Sequence, residues 1–554
     1  MALSGFPRFT SLWERRKPRR APIAASAAPT SWIAAILLLA ASPAFAGTLS
    51  GTVFNDTSGN GVRDPGEPGL AGVAVSNGSR IVRTGRDGRY AIDAADGDIV
   101  FVIKPAGYAV GKRDDGLPDF WVEAAGRVAH DFALRPQSFP PMRGWGLTVA
   151  LFTDPQVKSQ VDVDYYARDI VADLRDRLSI PLHSMRLYTS TLLPLGITLG
   201  DIVNDDLSLY PAINAVTTSL GAPWLHVAGN HDLDAGAGSD AATLATFRRT
   251  YGPDTVAWEE PEAVFIGLDD VVAMPGQRPA YVGGLREDQF AFLEAYLPTV
   301  PRDRLLVIGV HIPFFDTAAP GRPETFRAAD RERLFALLRD FPHVLLLSGH
   351  SHNQQHVFHG PADGWHGAQP LHEYNVGAAC GAFWSGVKDA AGVPDSTMSD
   401  GTPNGYAMLT VKRGGGYSLA WHNARDPEDR QIGLHAPKVL RRGAYPAWGV
   451  YANVYMGMDD SVVEYRIDDG AWRPMRKVLR PDPALLAENV RDDEADALRG
   501  YDRSPEAEPS AHLWRGTLAT DLAVGEHRVE VRYVDPWQGE QLASTTYRLE
   551  EASP

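Results

Sequence analysis

Five short apolar runs in the middle of the chain each end on side chains that can ligate a metal ion. Leu147–Phe152 leads to Asp154, Gly196–Gly200 to Asp201, and Trp224–Gly229 to Asn230, His231 and Asp232. Leu305–Val310 leads to His311, and Val344–Gly349 to His350 and His352. Mixed oxygen and imidazole donors suit manganese, iron, zinc or magnesium and do not choose among them. A single Asp or His after a strand is most often a turn residue. Five such endings in order, two of them within the dense runs Gly229-Asn230-His231-Asp232 and Gly349-His350-Ser351-His352, predict one shared centre. The elements that must position it are buried strands alternating with helical periods, as in Tyr165–Leu178 and Ala329–Phe341. In such α/β sheets ligands bind at the C-terminal edge of the strands.

The series resembles the calcineurin-like metallophosphoesterases, whose motifs run Asp-x-His, Gly-Asp, Gly-Asn-His-Asp/Glu, an isolated His and Gly-His-x-His. The likeness covers about residues 145–425. It implies a four-layer α/β core, a β-sandwich flanked by helices, and a dinuclear centre of two divalent ions. By the resemblance Asp201 would bridge the ions. Asp154 and His352 would complete the first site, and Asn230, His311 and His350 the second. His231 would face the substrate, with Asp232 orienting its ring. One departure stands out: the first motif reads Asp154-Pro155-Gln156, an amide in place of the family's imidazole. Gln156 is still expected to face the first ion, but to hold it more loosely. With only Asp154 and Asp201 anionic, two divalent ions would leave a surplus of about +2 to attract a phosphate. The implied reaction is hydrolysis of a phosphate monoester, diester or pyrophosphate by a metal-bridging hydroxide, with protonated His231 donating to the leaving oxygen.

On either side the texture is β. Residues 47–136 read as a small sandwich, similar to the carboxypeptidase-regulatory-like modules, and a Pro-rich joint follows at Pro136–Met142. Residues 433–554 read as a second β-rich domain in which 482–508 is an acidic excursion loop. Together with the stretch from His372 to Tyr406, this organisation resembles a bacterial exported subgroup with β modules on both sides of the catalytic domain. Within that stretch Trp384, Asp400 and Asn404 are candidates to wall the substrate pocket, with a packed Gly-rich loop as the plainer alternative. In the first module Asp56, Ser58, Asn60, Asp64 and Glu67 have the spacing of an EF-hand calcium loop, without the flanking helices.

The chain has 554 residues, too many for one ordinary core, so three folded units are expected. Basic residues Arg15–Arg20, the apolar run Trp32–Ala41 and the exit Ala44-Phe45-Ala46 read as a secretory signal peptide over 1–46. The apolar run is short for a spanning helix, so no stable membrane span is expected after cleavage. The formal net charge of −16 would then become −21. Such an acidic surface argues against nucleic-acid binding. The resemblance implies a phosphorylated small-molecule or envelope substrate, and the signal peptide a place outside the cytoplasm, in the periplasm or medium. The lone Cys380 allows no intrachain disulfide and offers no thiolate metal cage. The reading from another class is an envelope binding protein with a weakened phosphatase fold, for which Gln156 is the one supporting feature.

Overall fold

The computed structural model describes residues 47–137, 146–179, 193–317, 323–425 and 430–552. Residues 1–46, on which the signal-peptide expectation falls, lie outside them.

The middle of the chain forms two sheets. The first has the order Trp224–Val227, Leu195–Leu199, Leu147–Phe152, Gly405–Val411, Tyr417–Asn423. Its first three strands are parallel to one another and the last two antiparallel. The second runs Thr255–Glu259, Ala263–Leu268, Leu305–Gly309, Val344–Ser348, Leu371–Asn375, Gln355–His359. Its four central strands are parallel. Parallel strands are covered on both faces, which is why these five ligand-bearing runs are apolar without alternation. Leu199, Leu225 and Val227 face Val256, Ile266 and Val307 across the space between the sheets. Helices cover the outside. Tyr166 of Gln160–Tyr166 stands edge-on to Phe152, and Phe335 of Ala328–Leu338 packs on Phe314 and His359. The result is the expected four-layer sandwich, and the chain direction brings all five ligand-bearing strand ends to one edge.

The N-terminal β-sandwich consists of one sheet around Gly47–Asn55 and another around Ala74–Ser76 and Ile99–Val102. Its core runs straight into that of the middle domain. Phe101 meets Phe292 and Phe120 stands edge-on to Trp258. Beside them Lys104 Nζ lies 2.5 Å from Glu260 Oε1, both side chains being almost fully buried. Burial pulls the Lys104 amine down and Glu260 holds its charge in place. Breaking such a pair strands a charge without water. Glu260→Ala is therefore expected to cost about 3–5 kcal/mol in urea unfolding, whereas Lys104→Met with Glu260→Leu should cost far less. Equal losses would show that shape, not charge, governs this junction.

The candidate calcium loop is closed by its own backbone. Asp56 accepts from the amides of Gly59, Asn60 and Gly61, and Glu67 from those of Thr57, Ser58 and Asp64. Asn60 donates to Asp64, and Ser58 Oγ stands 3.3 Å from Asp56. Arg135 sets its guanidinium on Asp56 at 3.2 Å.

The C-terminal domain is a sandwich with its own core, including Val450, Val454, Trp514, Val529, Val531 and Tyr547. The 482–508 stretch is not simply a loop. Asp482 caps a helix over Pro483–Glu494 by accepting from the amides of Ala484 and Leu485, with Pro483 at its first position and Leu485 buried. The cap and the apolar anchor outweigh the run of like charges that suggested a loop. Among the described residues no helix is long and apolar enough to cross a membrane.

Candidate metal centre

The ligand residues occupy the turns that leave the strands, and the turns are strained. Asp154, Gln156, Asp201, His350 and His352 all have positive φ, between 41° and 69°. Residues with side chains adopt that conformation only where their surroundings impose it, and such sites cluster where function requires a fixed side chain. The neighbouring glycines of the motifs are there for space. A Cβ on Gly229 would lie 2.2 Å from the backbone nitrogen of Asp201, and one on Gly349 would lie 1.9 Å from Thr153 Oγ1.

Hydrogen bonds behind the centre fix which atoms face it. His311 Nδ1 lies 2.8 Å from the carbonyl of Leu199, and His352 Nδ1 lies 2.8 Å from that of Gly381. Carbonyls only accept, so both Nδ1 atoms carry the proton and both Nε2 atoms are turned inward. His311 Nε2 is then 3.3 Å from Asp201 Oδ2, 3.2 Å from Asn230 Oδ1 and 3.2 Å from His350 Nδ1. His352 Nε2 faces Asp154 Oδ1 at 3.4 Å. Among the described residues no group donates a hydrogen bond to the buried Asp154 Oδ1 and Gln156 Oε1. Lone pairs thus converge on lone pairs in two adjoining groups, an arrangement that is repulsive unless protons or metal cations lie among them. Among the described residues, Asp201, His311 and His350 form a cluster of imidazole and carboxylate groups close enough to hold one ion.

The electrostatics agree. Burial disfavours a charged His311, yet the carboxylates of Asp201, Asp154 and Asp270 pull it up to about 10. Burial likewise opposes charge on Asp201, and His311 more than offsets it, holding the carboxyl below its usual range. The pocket demands positive charge. Behind it Asp270, pushed up to about 8 by burial, accepts from the amides of His311 and Ile312 and fixes that turn.

Family models match the chain in three places. The model for the calcineurin-like phosphoesterase domain matches residues 195–354, that for its N-terminal part 57–137, and that for its C-terminal part 373–540. The chain belongs to the calcineurin-like phosphoesterases. No curated protein matches it significantly. Among solved structures, the purple acid phosphatase PPD1 from yellow lupin seeds matches with 13% identity and a TM-score of 0.36, over 64% of this chain and 67% of that one. The phosphopantetheinyl hydrolase PptH from Mycobacterium tuberculosis matches with 12% identity and a TM-score of 0.27, over 42% of this chain and 91% of that one.

Of the metal residues read from the sequence of this metal-dependent phosphoesterase, Asp201, Asn230, His311 and His350 meet in one group and Asp154 faces His352, while the Gln156 side chain is buried with Oε1 unmatched among the described residues. Other expectations need correction. Asp232 does not orient His231. It is fully buried and accepts from the amides of Ile202 and Gly229 and from Tyr210 Oη. The partner of His231 is Asp205, whose carboxylate lies 2.8 Å from Nδ1. Asp205 stands outside the Gly229–Asp232 motif and arrives by folding of the loop after Asp201, so only the loop geometry reveals it. Asp232→Ala would leave several buried donors unmatched and is expected to destabilise the protein by about 3 kcal/mol in denaturant unfolding. A stability near wild type would return Asp232 to the reactive group.

The three pocket candidates are also structural. Trp384 is fully buried and donates Nε1–H to the carbonyl of Pro155, between the two ligands of the first motif. Asp400 is buried against Gln354, Thr402 and His512, tying the catalytic domain to the C-terminal sandwich. Asn404 donates to Asp169 and to the carbonyl of Ala379. Polar residues in a Gly-rich run signal tight packing as readily as a pocket. Two aromatic residues not singled out in the sequence lie closer to the centre. The Phe383 ring is 4.7 Å from that of His352, and the Tyr281 ring 6.0 Å from that of His350. Cys380 packs behind the centre, its sulfur 3.8 Å from His352 Nδ1.

Proposed function

We propose that this phosphoesterase works with two divalent ions, one held by Asp154, Gln156 and His352 and the other by Asn230, His311 and His350, with Asp201 between them. The observation that carries this is the meeting of inward-facing lone pairs in two groups that adjoin at Asp201, with Asp154 Oδ1 and Gln156 Oε1 left unmatched. When bound, the ions supply Lewis acidity and positive charge for the phosphoryl group. The chain's own residues do the rest. The carboxylate of Asp205 accepts from His231 Nδ1–H, so that in the protonated ring Nε2–H is turned away from it to donate to the leaving oxygen. His231 is partly exposed, as a group that must meet a substrate has to be.

The substrate is proposed to be a phosphorylated small molecule or envelope component, cleaved as a mono- or diester outside the cytoplasm. Support for export comes from the basic, apolar and Ala-x-Ala segments of residues 1–46. N-terminal sequencing of the secreted protein should begin at Gly47. The activity is tested with paired nitrophenyl mono- and diesters, metal-free and with manganese, iron, zinc or magnesium. Turnover that returns on adding metal, with two ions bound per chain, supports the proposal; a folded protein binding a single ion would overturn the two-ion reading.

Calcium is not required by the N-terminal loop in this reading, because Arg135 already brings positive charge to Asp56. A loop filled by calcium at a hundred times its Kd would gain about 2.7 kcal/mol. Chelation is instead expected to leave the melting temperature within about 1 °C, and a clear fall would establish calcium as the cation there.

A further inference from the structure

We infer that Phe383 and Tyr281 form an aromatic wall at the mouth of the centre and select phosphate esters whose alcohol carries a planar or apolar group. The inference rests on the hydrolytic reading of the centre and goes beyond it to the leaving group.

Phe383 is half exposed, although it is a large apolar side chain in a loop otherwise packed against the core. Its ring covers that of His352 at an interplanar angle of 36°. Its backbone is held in the left-handed region at φ 62°, and so is that of Trp384 at φ 53°. Two such residues in succession are costly, and the surroundings show what enforces them. Trp384 is pulled inward by its bond to the carbonyl of Pro155, which leaves Phe383 turned out beside the metal ligand. The loop is also gripped from the far side. Gly386 and Val387 pair with Gly500–Asp502, which belong to the excursion from the C-terminal sandwich. An exposed aromatic ring fixed by strain and by strand pairing from another domain is not a packing residue. At the other histidine of the same segment, the Tyr281 ring stands nearly perpendicular to that of His350, at 84°. The two rings therefore stand one on each histidine of His350-Ser351-His352, beside the residues that would hold the phosphate through the ions. Stacked or edge-on aromatic contacts favour planar and apolar groups over hydroxylated chains.

The test compares phenyl phosphate with glycerol phosphate, or the corresponding diesters, in the metal-loaded full-length protein. Phe383→Ala and Tyr281→Ala are each expected to raise KM for the phenyl ester about 10-fold relative to that for the glycerol ester. Phe383→Tyr should restore the phenyl preference, which a merely structural role for the ring would not predict. Equal changes for both esters in the alanine variants, with melting temperatures unchanged, would overturn the wall while leaving the hydrolytic reading intact. A wild-type protein that binds metal but cleaves neither ester would overturn both.

Discussion

Asp201→Asn is expected to lower kcat/KM at least about 10³-fold, a loss of about 4 kcal/mol in transition-state stabilisation. Asp201 is the residue at which the two ligand groups meet. Its Oδ2 faces His311, while Oδ1 accepts from the amide of His231. The substitution keeps size and shape but removes the formal charge that offsets the ions. It also turns an NH2 group towards a site made of lone pairs. Metal content measured on the purified variant should fall with activity, because the remaining anionic ligand, Asp154, belongs to one group only. A variant that keeps both ions and most of its turnover would show that Asp201 is not the shared ligand.

His231→Ala should lower kcat about 10²–10³-fold for alkyl phosphate esters, whose leaving oxygen needs a proton, and much less for nitrophenyl esters, whose leaving group departs as the anion. The contrast follows from the geometry. His231 is held by Asp205 through Nδ1, and among the described residues no hydrogen bond ties down Nε2. Asp205→Asn should give a smaller loss, about 10-fold, with the same dependence on leaving group, since it disturbs the orientation of the ring rather than the proton. Equal losses on alkyl and nitrophenyl esters would falsify the acid role and make His231 a phosphate-binding residue.

The two expectations draw on different kinds of information. That Asp201 belongs to a metal centre is legible in the sequence, because a strand end fixes both the position and the direction of the residue after it. Five parallel strands, each buried on both faces, must present their C-terminal ends at a common edge. Motif glycines such as Gly229 and Gly349 are legible for the same reason, being the points where neighbouring turns touch. The pairing of His231 with Asp205 is not legible. It depends on how the loop after Asp201 folds back, and no periodicity constrains a loop. Trp384, Asp400 and Asn404 looked like pocket residues because polar and aromatic side chains in a Gly-rich run serve packing and binding alike. Burial decides between these uses, and burial is a property of the assembled layers. The helix over Pro483–Glu494 was hidden by its acidic composition, although Asp482 and Pro483 are ordinary start signals.

The sequence by itself determined the chemistry: a set of oxygen and imidazole donors, their order, and the strands that deliver them. Strand alternation and motif spacing are local, and local patterns survive reading in one dimension. Only the tertiary structure decided what surrounds that chemistry. It joined the N-terminal sandwich to the core through Lys104 and Glu260, paired the excursion at Gly500–Asp502 with the loop of Phe383, and set Asp205 on His231. Each of these contacts joins loops or domains whose approach no local pattern records, so their partners become visible only once the sheets have stacked.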